Sequence, residues 1–177
     1  MRRIIIICLF LLISISCSKE IDDLGFRVYT IPEGKHRSGN FYNTPNDSKI
    51  KFDFILDESA EYISEVPRNQ SDINKIYGFR LGWRYNELTD KIELCWLRHE
   101  DGVHKGETIR TIEPNKIYNA TIDIETFWYV IIINSDTTKV IRRPKGMWGL
   151  VRRYMLYPYF GGNEYAPHNI TIKIKEK

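Results

Sequence analysis

The sequence predicts an all-β domain built from antiparallel strands. Short runs rich in Val, Ile, Thr and aromatic residues alternate apolar and polar positions, as strands with one buried face do. Clusters of Gly, Pro, Asn and Asp separate these runs at short intervals. Aromatic residues make up 13% of the chain, with 11 Tyr and 4 Trp, which suits strands better than helices. These observations predict about ten strands in a sandwich or barrel with short connections.

Four strands are predicted in the first part of the chain, at residues 26–31, 50–56, 77–85 and 92–97. The alternation is most regular at 77–85, where the aromatic residues and Leu81 face one way and Gly78, Arg80, Gly82 and Arg84 face the other. Residues 86–90 are typical of a hairpin connection, and residues 99–106, which include two glycines, are typical of a polar turn.

Six further strands are predicted, at residues 108–112, 117–124, 128–133, 139–142, 154–160 and 170–174. Residues 134–136 form the turn of a hairpin. Trp83, Trp96 and Trp128 are candidates for the core.

The first sixteen residues have the composition of a signal peptide. Arg2 and Arg3 precede an uncharged apolar run at 4–13, which is too short to span a membrane, since a span needs roughly 20 residues. Small residues then precede Cys17, an order that resembles a bacterial lipobox and predicts lipid attachment at Cys17. The alternative is an ordinary signal peptide cut near Ser16. The acidic residues after Cys17 resemble an export signal to the outer face of the cell, or form a plain solvated tether.

This organisation predicts a lipidated cysteine and tether at 17–25 and one β-sandwich domain at 26–177, anchored in the outer membrane at either its periplasmic face or the cell surface. Removing residues 1–16 takes the 26 basic residues to 24, against 23 acidic ones, so the composition argues against nucleic acid as a partner. Cys95 is then the one cysteine left without an assigned role, and its apolar neighbours predict a small core residue rather than a catalytic thiol.

Two blocks of sequence carry a resemblance to a known family. The first is DINKIYGF followed by LGWRY, at 72–79 and 81–85, and the second is LYPYFGGNE followed by APHNI, at 156–164 and 166–170. Together they resemble a poorly characterised family of Gram-negative surface lipoproteins, and the strand order resembles the concanavalin A-like lectin and glucanase jelly roll. The resemblance implies an antiparallel two-sheet jelly-roll sandwich whose concave face can hold glycans, and it implies no established activity.

The acidic residues do not form the pattern of a jelly-roll glycosidase. Such enzymes place paired carboxylates on one strand face, and retaining hydrolysis needs them about 5 Å apart. Asp123 and Glu125 have a suitable spacing but come at a strand end, where acids are usually solvated, and Asp53 and Asp57 are equally typical of a surface. Glycosidase activity is therefore disfavoured.

A polysaccharide lyase needs a base and a cation that neutralises a uronate carboxylate. Weak candidates for these roles are Arg84, Arg98, His99 and His36. On the polar face of a strand, however, arginine is most often solvated or paired with an acid.

The candidate glycan-binding residues are Arg80, Arg84, Trp148 and Tyr159, because arginine pairs with carboxylates and aromatic rings stack on sugars. No cofactor is predicted. Asn163 and Glu164 are weak candidates for a metal, with a tight glycine turn as the simpler explanation, and His168 is expected to be a hydrogen-bonded turn residue.

The leading functional prediction is a surface-anchored, non-catalytic glycan-binding module. One alternative is a lyase that acts on an acidic polysaccharide. The other is a structural or interaction lipoprotein without a small ligand. The partners expected are membrane lipid, through acylated Cys17, and, for the binding module or the lyase, a polysaccharide.

Overall fold

The computed structural model describes residues 20–38, 42–43, 48–63, 73–76, 81–100, 103–125, 128–142, 155–156, 158–161 and 164–177. At residues 42–43, 97–100, 103–105, 141–142 and 155–156 the description covers the backbone.

The described residues form twelve β-strands and one turn of 3-10 helix, Glu58–Ala60. The strands are β1 (Arg27–Ile31), β2 (Tyr42–Asn43), β3 (Lys49–Leu56), β4 (Asn74–Lys75), β5 (Leu81–Asn86), β6 (Lys91–Glu100), β7 (Val103–Ile112), β8 (Tyr118–Ile124), β9 (Trp128–Ile133), β10 (Thr137–Arg142), β11 (Met155–Leu156) and β12 (Ile170–Glu176). No helix in these parts of the chain has the length and apolar composition needed to cross a membrane.

Six strands form one antiparallel sheet in the order β1-β12-β3-β8-β9-β10. The alternation is clearest in β8, whose side chains are buried and half-buried in turn from Tyr118 to Ile124. Because successive side chains of a strand point to opposite faces, this period of two gives the sheet one apolar face and one polar face.

Four strands form the second sheet in the order β4-β5-β6-β7. Beyond β4, isolated antiparallel bridges join Lys75 to Tyr159 and Tyr159 to Arg37, and the β2–β11 pair lies along the same two chain segments. The pairing therefore continues past β4 through residues 158–160 and 36–38.

The core lies between the two sheets. It contains Phe52, Phe54 and Ile131 from the six-stranded sheet and Leu81, Trp83 and Leu94 from the four-stranded sheet, all fully buried. Burial of such side chains contributes about 1.5–3 kcal/mol each relative to exposure. The prediction of an all-β, antiparallel two-sheet sandwich is confirmed.

Several predicted elements need correction. Residues 99–100 and 103–106 are strand instead of the predicted polar turn, because His99 pairs with His104 and Glu100 with Val103. The pairing of β6 with β7 therefore extends further than the sequence pattern predicted. Two short strands, β2 and β4, were not predicted, and the expected strand at 154–160 is the pair Met155–Leu156 followed by the bridge at Tyr159.

Two predicted core residues lie elsewhere. Trp128 is 42% exposed at the start of β9, whereas Trp83 and Trp96 are buried as expected. Cys95 is buried, but it packs with Ile73 in a separate small cluster instead of in the core between the sheets.

Candidate functional site

The outer face of the second sheet carries a row of basic and aromatic side chains. Lys75 is paired with Gly82 across the strands, and Tyr159 is paired with both Lys75 and Arg37. Directly paired residues share one face of a sheet, and Arg84 shares it with Gly82 because it lies two positions further along β5. The neighbouring Trp83 and Phe160 are buried in the core, so this face points away from the core.

Four side chains meet on this face and form the His36 cluster, which we define as His36, Lys75, Tyr159 and Tyr165. The His36 ring lies 5.5 Å from the Tyr159 ring between centroids, with the planes within 10° of parallel. The Tyr165 ring lies 4.5 Å from His36, and Lys75 Nζ lies 5.0 Å from the centre of the Tyr159 ring. Tyr165 is 60% exposed, so solutes can reach the cluster.

A hydrogen bond selects the tautomer of His36. Its Nδ1 lies 3.0 Å from the carbonyl oxygen of Phe160. A carbonyl oxygen only accepts, so Nδ1 must carry the hydrogen, and the neutral ring has its lone pair on Nε2. His36 is therefore oriented to accept a proton at Nε2.

The buried residue Asn74 ties β4 to the segment that carries Tyr159. Its Nδ2 donates to the Tyr62 hydroxyl at 2.7 Å, and its Oδ1 accepts from the backbone N–H of Gly161 at 2.8 Å. The backbone of Lys75 exchanges two further hydrogen bonds with Tyr159, at 2.7 and 2.9 Å. These bonds hold Lys75 and Tyr159 side by side.

Arg84 is held in place by a carboxylate. Its Nε and Nη2 lie 2.7 and 2.6 Å from Glu93 Oε2, and Nη2 also donates to Thr108 Oγ1. Glu93 accepts from Thr108 and from Asn86 as well, each at 2.7 Å. Burial opposes ionisation of Glu93, but the hydrogen bonds from Asn86, Thr108 and Arg84 outweigh it and lower its pKa below the ordinary value.

Ile73 covers the part of this face between β5 and β7. A Cβ placed on Gly106 would lie 1.6 Å from Ile73 Cδ1, and one placed on Gly82 would lie 2.5 Å from Ile73 Cγ2. Glycine at both positions therefore lets Ile73 lie flat on the sheet, over Cys95. Burial raises the pKa of the Cys95 thiol to about 12, which makes it unsuited to act as a nucleophile.

The structure brings together three of the residues singled out from the sequence. His36 and Tyr159 are in contact, and Arg84 lies on the same outer face. Arg98 and His99 lie in β6, at positions where the description is limited to the backbone. Cys17, Arg80, Trp148 and Asn163 lie outside the described residues.

The structure also places Glu164, a weak candidate for a metal, and the turn residue His168. Glu164 is half-buried, and the described residues contain no group of three or more His, Cys, Asp or Glu side chains that could hold a metal ion. His168 Nε2 lies 2.8 Å from the carbonyl oxygen of Ser59, as expected of a hydrogen-bonded turn residue.

Lys75 and Tyr165 were not singled out from the sequence. Lys75 lies in the first resemblance block, next to the strand predicted at 77–85, and Tyr165 falls between the two halves of the second block. No local sequence pattern marks Lys75, because its place beside Tyr159 depends on the pairing of β4 with the Tyr159 segment, which links residues far apart in the chain.

Comparison with known proteins assigns no sequence family. No family model matches the chain. No curated protein matches it either.

Solved structures do share the fold. Alginate lyase Aly36B has a TM-score of 0.55 at 12% identity, with 86% of this chain and 79% of that chain covered. A variant of Aly36B, in which a lysine and a tyrosine are replaced by alanine, was solved with alginate tetrasaccharide; its TM-score is 0.54 at 13% identity, with the same coverage.

A third structure is a variant of the family 7 alginate lyase A1-II', in which a histidine and a tyrosine are replaced, in complex with substrate. Its TM-score is 0.50 at 14% identity, with 88% of this chain and 80% of that chain covered. Together with the two antiparallel sheets described above, these similarities establish that the chain has a jelly-roll β-sandwich fold.

Proposed function

We propose that this protein is a polysaccharide lyase that cleaves an acidic glycan at the His36 cluster. The observation that carries the proposal is the stacked pair of His36 and Tyr159, with the Lys75 ammonium 5.0 Å from the tyrosine ring. The cluster supplies a proton acceptor, a proton donor and a cation on one accessible face. This function differs from the non-catalytic binding module favoured by the sequence alone.

The chemistry of a lyase assigns a role to each of these groups. A cation beside the uronate carboxylate stabilises the negative charge that develops when the proton on C5 is removed. Lys75 supplies that cation, and the Nε2 atom of His36 accepts the proton. The bond between C4 and the glycosidic oxygen then breaks, a double bond forms between C4 and C5, and the Tyr159 hydroxyl protonates the leaving oxygen. A proton returns from the His36 imidazolium to the Tyr159 phenolate through solvent.

Arg84 has a supporting role in this proposal. Its Nε and Nη2 are bonded to Glu93, so much of its charge is already compensated. Arg37 is exposed and paired with Tyr159 across the strands, which places a second cation on this face for a neighbouring uronate.

The structural neighbours support the same chemistry. The three neighbours described above are alginate lyases, and the variants captured with alginate tetrasaccharide or with substrate lack a lysine and a tyrosine, or a histidine and a tyrosine. The His36 cluster contains these three side-chain types.

The proposal is tested by incubating the purified protein with alginate, other polyuronates and neutral glucans. A lyase creates a conjugated double bond, which absorbs in the ultraviolet, and its unsaturated product is lighter than the corresponding hydrolysis product by one water. We expect both signals with a polyuronate and neither with the glucans. Cleavage without the double bond, or no cleavage of any polyuronate, would refute lyase activity.

A non-catalytic glycan-binding module is the second candidate. The observation that favours it is the Tyr165 ring, which is 60% exposed beside His36 and can stack on a sugar. This function predicts that a polyuronate binds and is recovered intact.

We further propose that the protein is a lipoprotein acylated at Cys17 and anchored in the outer membrane. The support is the order of charge, apolar run, small residues and cysteine at the start of the sequence. Mass spectrometry of the membrane-extracted protein tests this, because a Cys17→Ser variant should lack the acyl mass and remain unprocessed.

A further inference from the structure

Residues 20–26 form a tight hairpin against the first residues of β1. The Val28 N–H donates to the Glu20 carbonyl at 2.8 Å, and Ile21 pairs with Arg27 in an antiparallel bridge. β1 is an edge strand of the six-stranded sheet, so this hairpin covers part of an otherwise open edge.

The Asp22 side chain is the centre of this hairpin. Its Oδ1 accepts from the N–H groups of Leu24 and Phe26, at 3.0 and 2.9 Å, and its Oδ2 lies 3.0 Å from Lys173 Nζ on β12. Lys175 Nζ donates to the Leu24 carbonyl at 2.8 Å. These bonds attach the hairpin to the body of the domain.

The hairpin presents two large apolar side chains to solvent. Ile21 is 64% exposed and Leu24 is 61% exposed. Among the described residues, these are the exposed large apolar side chains that lie nearest in sequence to the proposed lipid attachment site.

The hairpin also shortens any tether from Cys17. Only two residues separate Cys17 from Glu20, where the bonds to the domain begin. An extended chain spans at most about 3.6 Å per residue, so Glu20 can lie no more than about 11 Å from the cysteine. A tether that ran freely to residue 25 would reach roughly 29 Å.

The His36 cluster lies beyond the opposite end of β1. The hairpin meets β1 at Arg27, and the chain leaves β1 at Ile31 and reaches His36 through the turn at 32–35. Five residues of strand span about 16 Å, so β1 separates the hairpin from the cluster.

We propose that the hairpin at 20–26 contacts the membrane surface, with Ile21 and Leu24 in the lipid headgroup region. The His36 cluster then faces away from the membrane. The inference rests on the proposed anchor at Cys17 and is independent of lyase activity. Burial of the two apolar side chains adds to the acyl chains and fixes the orientation of the domain.

Lipidated full-length protein in phosphatidylethanolamine–phosphatidylglycerol vesicles tests this orientation. A fluorophore is attached to Leu24→Cys or, as the distal comparison, to the exposed Glu33→Cys, and is quenched by nitroxide-labelled headgroups. Cys95 is buried and does not compete for the label. We expect several-fold stronger quenching at position 24 than at position 33.

Asp22→Ala removes the side-chain bonds from Asp22 to the Leu24 and Phe26 N–H groups and to Lys173, which brace the turn and attach it to β12. Asp23→Ala, at the exposed acid next to it, is the matched control. We expect the first variant to lose most of the difference in quenching and the second to retain it. Equal quenching at positions 24 and 33 in the parent protein would overturn the proposal. An unacylated Cys17, detected by mass spectrometry of the same sample, would also overturn it and would leave the lyase proposal standing.

Discussion

The ring of His36 stacks on the ring of Tyr159 at 5.5 Å, although the two residues lie near opposite ends of the chain. The stack forms because the segments at 36–38 and 158–160 pair beside β4, where Lys75 Nζ lies 5.0 Å from the centre of the tyrosine ring. The proposed chemistry therefore depends on contacts that exist only in the folded sandwich.

Replacement of His36 by Gln should abolish most lyase activity. Glutamine keeps the size of the side chain but cannot accept the proton, and general base catalysis contributes about 10²- to 10⁴-fold in rate. We expect a loss of that order in kcat, measured from the rise in ultraviolet absorbance. His168→Gln, at another half-buried histidine bonded to a carbonyl, is the control and should retain activity. Equal losses in the two variants would argue against a proton-accepting role for His36.

Replacement of Lys75 should weaken the stabilisation of the substrate carboxylate. Lys75→Ala removes the cation beside Tyr159, and we expect kcat/KM to fall by more than about tenfold, or roughly 1.4 kcal/mol of transition-state stabilisation. Lys75→Arg keeps the charge and should recover part of the loss. Lys51→Ala on the exposed face of β3 serves as the control. If Lys75→Ala behaves like Lys51→Ala, Lys75 does not meet the carboxylate.

Glu93→Gln should destabilise the domain in a pH-dependent way. The amide would turn an N–H₂ group toward donors on Arg84, Thr108 or Asn86, and an unsatisfied buried polar group costs about 1–3 kcal/mol. Since the pKa of Glu93 is lowered on folding, its contribution is fully present above the ordinary value near 4.5 and is lost as the pH falls through the lower folded value.

Denaturant unfolding measures the free energy of unfolding of the parent protein and of Glu93→Gln. The difference between the two values should be present at pH 7 and should shrink in acid. Glu33→Gln, at an exposed position, should change little at either pH. A difference for Glu93→Gln that is independent of pH would contradict the role of the charged form.

Gly106→Ala should be destabilising, and a change at Ile73 should relieve it. The added Cβ would lie 1.6 Å from Ile73 Cδ1, and overpacking of this kind costs about 1–3 kcal/mol. Ile73→Val removes that atom, so the double variant should be more stable than the sum of the single changes predicts. Gly82→Ala is the comparison, because its Cβ would meet the Asn74 backbone oxygen at 2.1 Å and Ile73→Val cannot relieve it. Equal rescue at the two glycines would show that Ile73 is not the obstacle at 106.

The alternation of apolar and polar residues was sufficient to predict the sandwich. Residues 50–56 and 117–124 became β3 and β8 almost as predicted, because one face of each strand is buried and the period of two is then visible in the sequence. The same rule failed at 99–100 and 103–106, where the sequence is polar and the backbone is nevertheless strand.

The candidate site was only partly predictable. His36, Tyr159 and Arg84 were singled out by residue type, but their roles depend on which strands are neighbours. Local patterns do not encode the bridges from Tyr159 to Lys75 and Arg37, so neither the contribution of Lys75 nor the stack on His36 could be deduced from spacing. The pairing of Arg84 with Glu93 likewise appears only when β5 and β6 are aligned.

Titration of the protein with a uronate trisaccharide, followed by NMR of the histidine ring protons, tests the central claim most directly. We predict that the His36 signals move on binding, because its ring lies between Tyr159 and Tyr165, whereas the His168 signals, held at the Ser59 carbonyl, stay in place. Binding that leaves the His36 signals unchanged, or no binding of the trisaccharide at all, would contradict the assignment of this face as the glycan site.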